Sequence, residues 1–415
     1  MKLLDKVYQA QECIKDVVVH TSLKKNENLS EQFSAQIYLK REDLQPVRSY
    51  KLRGAYNKIV SLSDEEKKRG VVCASAGNHA QGVAYTCKKL NIKATIFMPV
   101  TTPPQKTRQV KFFGRDNVDI VLEGDLLDEA FEAANQFCEK AGAVFIHPFD
   151  DEEIIAGQGT IGLELLEDSD TPIDYLFIPI GGGGLASGLI TVFKELSPHT
   201  KIIGVEPSGA ASMKISIERG VKTTLEYTDC FVDGAAVERP GDITYKICKD
   251  NLDDIILVPE GKVSTTILCM YNEEAIVVEP AGALSISALD FYKDKIKNKN
   301  VVCIVSGSNN DITRMQEIKE RSLLYEGLLH YFLIELPQKP GVFKEFVNGV
   351  LGPDDDIVYF KYSKKNNRKN GPSVVGIQLK NRSDLYRIEE QLREYNFSYR
   401  YLNEKTDLFA TLTPH

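Results

Sequence analysis

Short apolar runs recur along the first three quarters of the chain, and polar-rich stretches with apolar residues at helical spacing separate them. Residues 70–75 (GVVCAS) open the series, and 78–90 then read as a helix. Residues 94–99 (ATIFMP), 119–123 (DIVLE) and 143–147 (AVFIH) read as strands, with helices over 104–113 and 126–140 between them. The rhythm continues with a strand over 175–180 (YLFIPI), a helix from Leu185, and strands over 201–206 (KIIGVE) and 301–305 (VVCIV). Runs this short and this continuously apolar predict strands buried on both faces. Helices between them predict parallel sheets with right-handed crossovers, an α/β architecture. Ligands in such sheets bind beyond the carboxyl ends of the strands.

After about residue 325 the pattern switches to alternation. Residues 330–336 (HYFLIEL), 356–362 (DIVYFKY), 373–379 (SVVGIQL) and 398–402 read as strands, with amphipathic helices over 341–350 and 385–395. The order is βαββαβ, a ferredoxin-like α+β unit. The polar stretch SKKNNRKNG from Ser363 reads as a solvated hairpin tip. The expected organisation is two domains, 1–322 carrying the chemistry and 326–415 forming a separate small domain.

Composition narrows the picture. A formal charge of −8 argues against bulk binding to nucleic acid or anionic membranes. No apolar run reaches the roughly 18 residues of a membrane span. The first twenty residues are charged throughout and lack the apolar centre of a signal peptide, so a cytoplasmic protein is expected. The cysteines at 13, 73, 87, 138, 230, 248, 269 and 303 form no CxxC pair and no cluster with zinc spacing. Reduced, mostly buried thiols and no metal site are expected.

Four stretches carry candidate chemistry. The first, residues 40–55 (KREDLQPVRSYKLRGA), reads either as a solvated basic face or as the setting of a buried amine at Lys51. Burial lowers a lysine pKa and frees the neutral amine to attack an aldehyde. The second, 75–82 (SAGNHAQG), lies between a strand and a helix. Its small residues Ser75, Ala76 and Gly77 permit close approach of a ligand, and the helix start at Asn78 and His79 offers N–H groups to a carboxylate. The Asn78 amide suits a phenolic oxygen, and His79 alone reads as a packed or capping residue. The third, Gly181, Gly182, Gly183 and Gly184 followed by Leu185, comes directly after a strand and suits a loop wrapping a phosphate. The fourth is the SGSN turn beginning at Ser306, whose hydroxyl suits a ring nitrogen. Glu279 reads either as a lining residue or as a helix cap. A rival reading exists: Gly181, Gly183 and Ala186 match GxGxxA, and Glu206 closes the next strand, as in dinucleotide binding by an oxidoreductase using NAD.

As a set, in this order, these stretches resemble the fold-type II pyridoxal-phosphate (PLP) enzymes, with tryptophan synthase β-like parallel sheets, and closely the serine/threonine dehydratases. The resemblance covers residues 1 to about 320. It implies that Lys51 in SYKLRGA is the Schiff-base lysine and the base for the α-proton. It also implies that the SAGNHAQG loop binds substrate carboxylate, with Asn78 on the cofactor's 3-hydroxyl. The tetraglycine with Leu185 would hold the phosphate, and Ser306 would face the pyridine nitrogen. A serine there makes the ring a weaker electron sink, which favours loss of the β-hydroxyl over transamination.

The C-terminal βαββαβ unit, with LPQKPGVFKEF as its first turn, is similar to the ACT-like regulatory domains of biosynthetic threonine dehydratases. That implies dehydration of L-threonine to 2-oxobutanoate, feedback by isoleucine opposed by valine, and a dimer or tetramer. The single regulatory unit leaves the strength of feedback open.

Several positions depart from relatives. Ala76 stands where racemases have a second serine, which favours a dehydratase. The run from Glu206 to Ser212 lacks the last acidic ligand of a divalent-metal site. The early T-P-L segment reads T-S-L at Thr21, and SGGN reads SGSN. A serine-preferring lyase and a non-catalytic amino-acid sensor remain alternatives.

Overall fold

The computed structural model describes residues 1–362, 370–404, 409 and 412. The SKKNNRKNG stretch lies almost wholly outside the described residues. The chain divides into two compact units, Met1–Asp311 and Ile312–His415. This division falls ahead of the 322/326 boundary read from the sequence, because the helix Met315–Tyr325 packs on the first strand of the second unit.

The first unit holds two sheets. Strands β1 (Leu23–Lys25) and β2 (Gln36–Arg41) precede the sequence-predicted series. The four strands that follow are β3 (Val71–Ala74), β4 (Ala94–Met98), β5 (Val118–Leu122) and β6 (Val144–Phe145). They form an all-parallel sheet in the order β5-β4-β3-β6. The remaining strands of this unit are β7 (Tyr175–Pro179), β8 (Lys201–Pro207), β9 (Asp254–Val258) and β10 (Asn300–Val305). With β1 and β2 they make a second sheet, β1-β2-β10-β7-β8-β9, parallel except at the β1 edge. Helix-covered faces explain why these strands read as unbroken apolar runs: Val71 to Ala74 and Val301 to Val305 are all buried. Each sheet has its own core, one around Ile178, Leu189 and Phe193 and the other around Val83, Ile96 and Val110.

The helix Lys51–Ser61 packs tightly on the helix Glu152–Asp168. A Cβ at Gly157 would lie 2.6 Å from the Gly54 Cα, so the crossing requires glycine on both helices. That is the structural reason for the glycine in SYKLRGA.

The second unit is an antiparallel sheet of β11 (Leu329–Pro337), β12 (Asp356–Tyr362), β13 (Asn370–Gln378) and β14 (Ser398–Tyr401), ordered β12-β13-β11-β14. The helices Val342–Val350 and Asp384–Glu394 bury Phe346, Ile388 and Leu392 against one face, with Phe332 and Val375. This is the βαββαβ order expected. Among the described residues, no helix is long and apolar enough to cross a membrane.

Candidate active site

The ends of β3, β7 and β10 and the start of the helix Lys51–Ser61 converge on one cavity of about 300 Å³. The residues assigned to the PLP reading line it: Lys51, Ser75, Ala76, Gly77, Asn78, His79, Gly181 to Gly184, Leu185 and Ser306. They come from segments far apart in the chain, brought together because strands of both sheets end here.

Lys51 opens its helix, and its Nζ donates to the Pro148 carbonyl at 2.7 Å. Burial lowers its pKa from 10.5 to about 8, partly opposed by the Glu279 carboxylate. The basic stretch around it is not a solvated face. Lys40 and Arg53 are both fully buried. Arg53 donates to Glu42 through Nε and Nη2, each at 2.8 Å, and to Glu164 at 2.6 and 2.8 Å. Lys40 pairs with Glu164 at 2.7 Å, and the Thr21 hydroxyl donates to Glu42 at 2.5 Å. Two cations and two carboxylates thus neutralise one another in the interior and anchor the helix that carries Lys51. The stretch looks solvated because it holds only one of the two carboxylates, Glu42; the other, Glu164, lies far along the chain.

The second loop crosses from β3 to the helix Asn78–Leu90. The first-turn amides there have no intrahelical acceptor. The His79 ring donates from Nε2 to the Ile146 carbonyl at 2.8 Å, and burial pushes its pKa down to about 3. A neutral ring already committed to a carbonyl is a packed histidine, not a general base. The Asn78 amide is locked in orientation. Its Nδ2 donates to Glu279 at 2.6 Å, and its Oδ1 accepts from Asn309 Nδ2 at 2.7 Å. Glu279 also accepts the Asn309 backbone N–H at 3.1 Å. Glu279 therefore lines the site, and burial, with the nearby Asp233 charge, raises its pKa to about 7. Asn309 closes the SGSN turn singled out in the sequence, where only Ser306 had been given a role.

The tetraglycine joins β7 to the helix Gly184–Leu196. Among the described residues, the N–H groups of Gly181 to Leu185 donate to no protein acceptor. Gly183 has φ +90, and a Cβ at Gly182 would fall 2.3 Å from the Phe149 ring. The loop therefore accepts neither side chains nor another backbone shape. Ser306 follows β10 and is buried; its carbonyl accepts the Tyr50 N–H at 3.2 Å, which joins this turn to the Lys51 segment. Gln81, inside SAGNHAQG, and Pro148 and Phe149, outside every motif, also line the cavity.

Glu206 does not serve the rival reading. It is fully buried, and its carboxylate accepts the backbone N–H groups of Met213 and Lys214, both at 2.8 Å. It caps the next helix and is not part of the cavity wall.

Residues 14–307 match the family described as pyridoxal-phosphate dependent enzyme. That is the class to which the two-sheet fold and the lysine-bearing cavity correspond. Residues 320–412 match the C-terminal regulatory domain of threonine dehydratase. The chain is 56% identical over 409 residues to the L-threonine dehydratase biosynthetic IlvA of Halalkalibacterium halodurans, covering 99% of both chains. It is 55% identical over 406 residues to that of Bacillus subtilis, covering 98% of this chain and 96% of that one. Among solved structures it is similar to the processed form of threonine deaminase isoform 2 from Solanum lycopersicum. There the TM-score is 0.72 and the identity 43%, over 77% of this chain and 94% of that one. The chain belongs to the PLP-dependent enzymes and, within them, to the biosynthetic threonine dehydratases.

The cavity fits such a cofactor on its own terms. It offers a lysine amine of lowered pKa and a strand-to-helix loop of unpaired amides. It also offers two buried acceptors without a protein partner, Gln81 Oε1 and Asn309 Oδ1.

Proposed function

We propose that this chain is an L-threonine dehydratase that holds PLP on Lys51 and converts L-threonine to 2-oxobutanoate and ammonia. The observation that carries the reading is the meeting of the Lys51 amine, the SAGNHAQG helix start and the tetraglycine loop at one cavity. Identity of 56% and 55% to threonine dehydratases over nearly the full chain supports the choice of substrate.

In this reading the amides of Gly181 to Leu185 hold the cofactor phosphate. The one Asn78 N–H left over from Glu279 meets a ring oxygen, and the Ser306 hydroxyl faces the ring nitrogen. Bound there, PLP supplies a conjugated ring that accepts the electron pair left at Cα when a proton departs. Lys51 Nζ, as a neutral amine, takes that proton. Ser75 to His79 receive the substrate carboxylate at the helix start. Ala76 offers no hydroxyl to return a proton to the opposite face of Cα, which favours elimination over racemisation. Serine, one methyl smaller, is expected to be a poorer substrate by about 1–3 kcal/mol.

The wider assignments rest on the same family. Residues 1–322 carry catalysis, and 326–415 regulate it in response to isoleucine, with valine opposing. The protein works as a cytoplasmic dimer or tetramer. The test is the visible spectrum of the full chain before and after adding L-threonine, with 2-oxobutanoate assayed alongside. The cofactor absorbance should change with threonine as 2-oxobutanoate forms, and Lys51→Ala should lose both. Turnover retained in Lys51→Ala would overturn the assignment.

A further inference from the structure

One side chain outside the cavity is hydrogen-bonded to the tetraglycine loop. Thr244 is fully buried and lies behind the loop, not in the cavity wall. Its hydroxyl donates to the Gly182 carbonyl at 2.6 Å. The Gly182–Gly183 peptide is trans, so its C=O and N–H point in opposite directions. A carbonyl drawn back towards Thr244 therefore turns the Gly183 N–H the other way, into the cavity that Gly183 lines.

The surroundings hold Thr244 in place. It sits in the first turn of the helix Asp242–Asn251. The Asp150 carboxylate accepts the N–H groups of Asp242, Ile243 and Thr244 at 2.7, 2.9 and 3.2 Å and fixes that turn. Asp150 follows Phe149, whose ring lies against Gly182, and Pro148, whose carbonyl receives Lys51 Nζ. A Cβ at Gly183 would meet the Thr244 Cβ at 3.0 Å, so the two are in direct contact. One short strip, residues 148–150, thus ties the lysine to the glycine loop.

We propose that Thr244 is a positioning residue for phosphate binding by the tetraglycine loop: its hydroxyl orients the Gly182–Gly183 peptide so that the Gly183 N–H is presented to the phosphate. Asp150 acts through it by fixing the helix turn that carries Thr244. The inference rests on the reading that this loop receives a phosphate.

The experiment is a titration of the full-length protein, stripped of cofactor, with PLP and separately with inorganic phosphate, for wild type, Thr244→Val and Thr244→Ser. Phosphorus NMR of the bound cofactor is recorded at saturation. Valine keeps the shape and removes the donor, so PLP and phosphate should both bind about five- to tenfold more weakly, the worth of one hydrogen bond. The phosphorus resonance should move as well. Serine keeps the hydroxyl and should bind within about twofold of wild type, with the resonance unmoved. Thr244→Val with wild-type affinity and an unmoved resonance overturns the proposal, as does Thr244→Ser behaving like valine. Should Thr244→Val fail to fold, Asp150→Asn decides: weaker binding supports the proposal, and unchanged binding and resonance overturn it. Wild type that binds phosphate but not PLP removes the cofactor reading and leaves this inference standing. Wild type that binds neither removes both.

Discussion

The lowered pKa of Lys51 sets a measurable pH dependence on cofactor capture. Only the neutral amine attacks an aldehyde, so the capture rate follows the deprotonated fraction. With a pKa of about 8, roughly a tenth of the amine is neutral at pH 7, against about one part in three thousand for a lysine at 10.5. The folded cavity therefore gives roughly a 300-fold advantage near neutrality. The sign is fixed by the cause: burial penalises the ammonium, so the rate rises with pH and levels off above about 8. The assay mixes cofactor-free protein with PLP in a stopped-flow instrument and follows visible absorbance. Borohydride trapping and peptide mass spectrometry then locate the adduct at Lys51. Glu279→Gln removes the negative charge that favours the ammonium, so its midpoint should lie lower than that of wild type. Wild type and variant should converge in acid, because Glu279 itself protonates below about 7. A wild-type rate that keeps climbing towards the ordinary lysine value of 10.5 would refute the reasoning.

Gly182→Ala places a Cβ 2.3 Å from the Phe149 ring, so the loop or the ring must shift. PLP affinity should fall by about tenfold or more, with part recovered in the double variant Gly182→Ala, Phe149→Leu. Equal affinity in the single variant would show that the loop tolerates a side chain. Arg53→Leu leaves Glu42 and Glu164 buried with one cation too few, and Glu42 bears most of the loss because Glu164 keeps Lys40. Denaturant unfolding should show a loss of about 3–5 kcal/mol. A loss under about 1 kcal/mol would mean that the interior reorganises around the missing charge.

The sequence by itself determined the order of strands and helices over most of both units. The run 78–90 forms the helix Asn78–Leu90, and 356–362 forms β12 at the same bounds. These elements are legible because local periodicity and glycine placement record burial and turns directly. The cofactor class came from the resemblance that these motifs carry as a set; the tetraglycine between strand and helix taken alone fits dinucleotide binding as well.

Other features depended on partners distant in the chain. The charges of 40–55 look like surface until Glu164, 111 residues beyond Arg53, supplies the opposing carboxylate. Glu279 stayed undecided between lining and capping until the fold set it against Asn78, 201 residues away. Thr244 and Asp150 carried no signal at all, since neither stands in a motif and their effect passes through a helix turn to Gly182. Strands β1 and β2 precede the predicted series, and β9, a single short run, falls between two of its members. Local sequence encodes which backbone a segment prefers. Whether a charged or polar side chain there is solvated, neutralised or set to orient a neighbour depends on what the folded chain packs against it, and only the tertiary structure decides that.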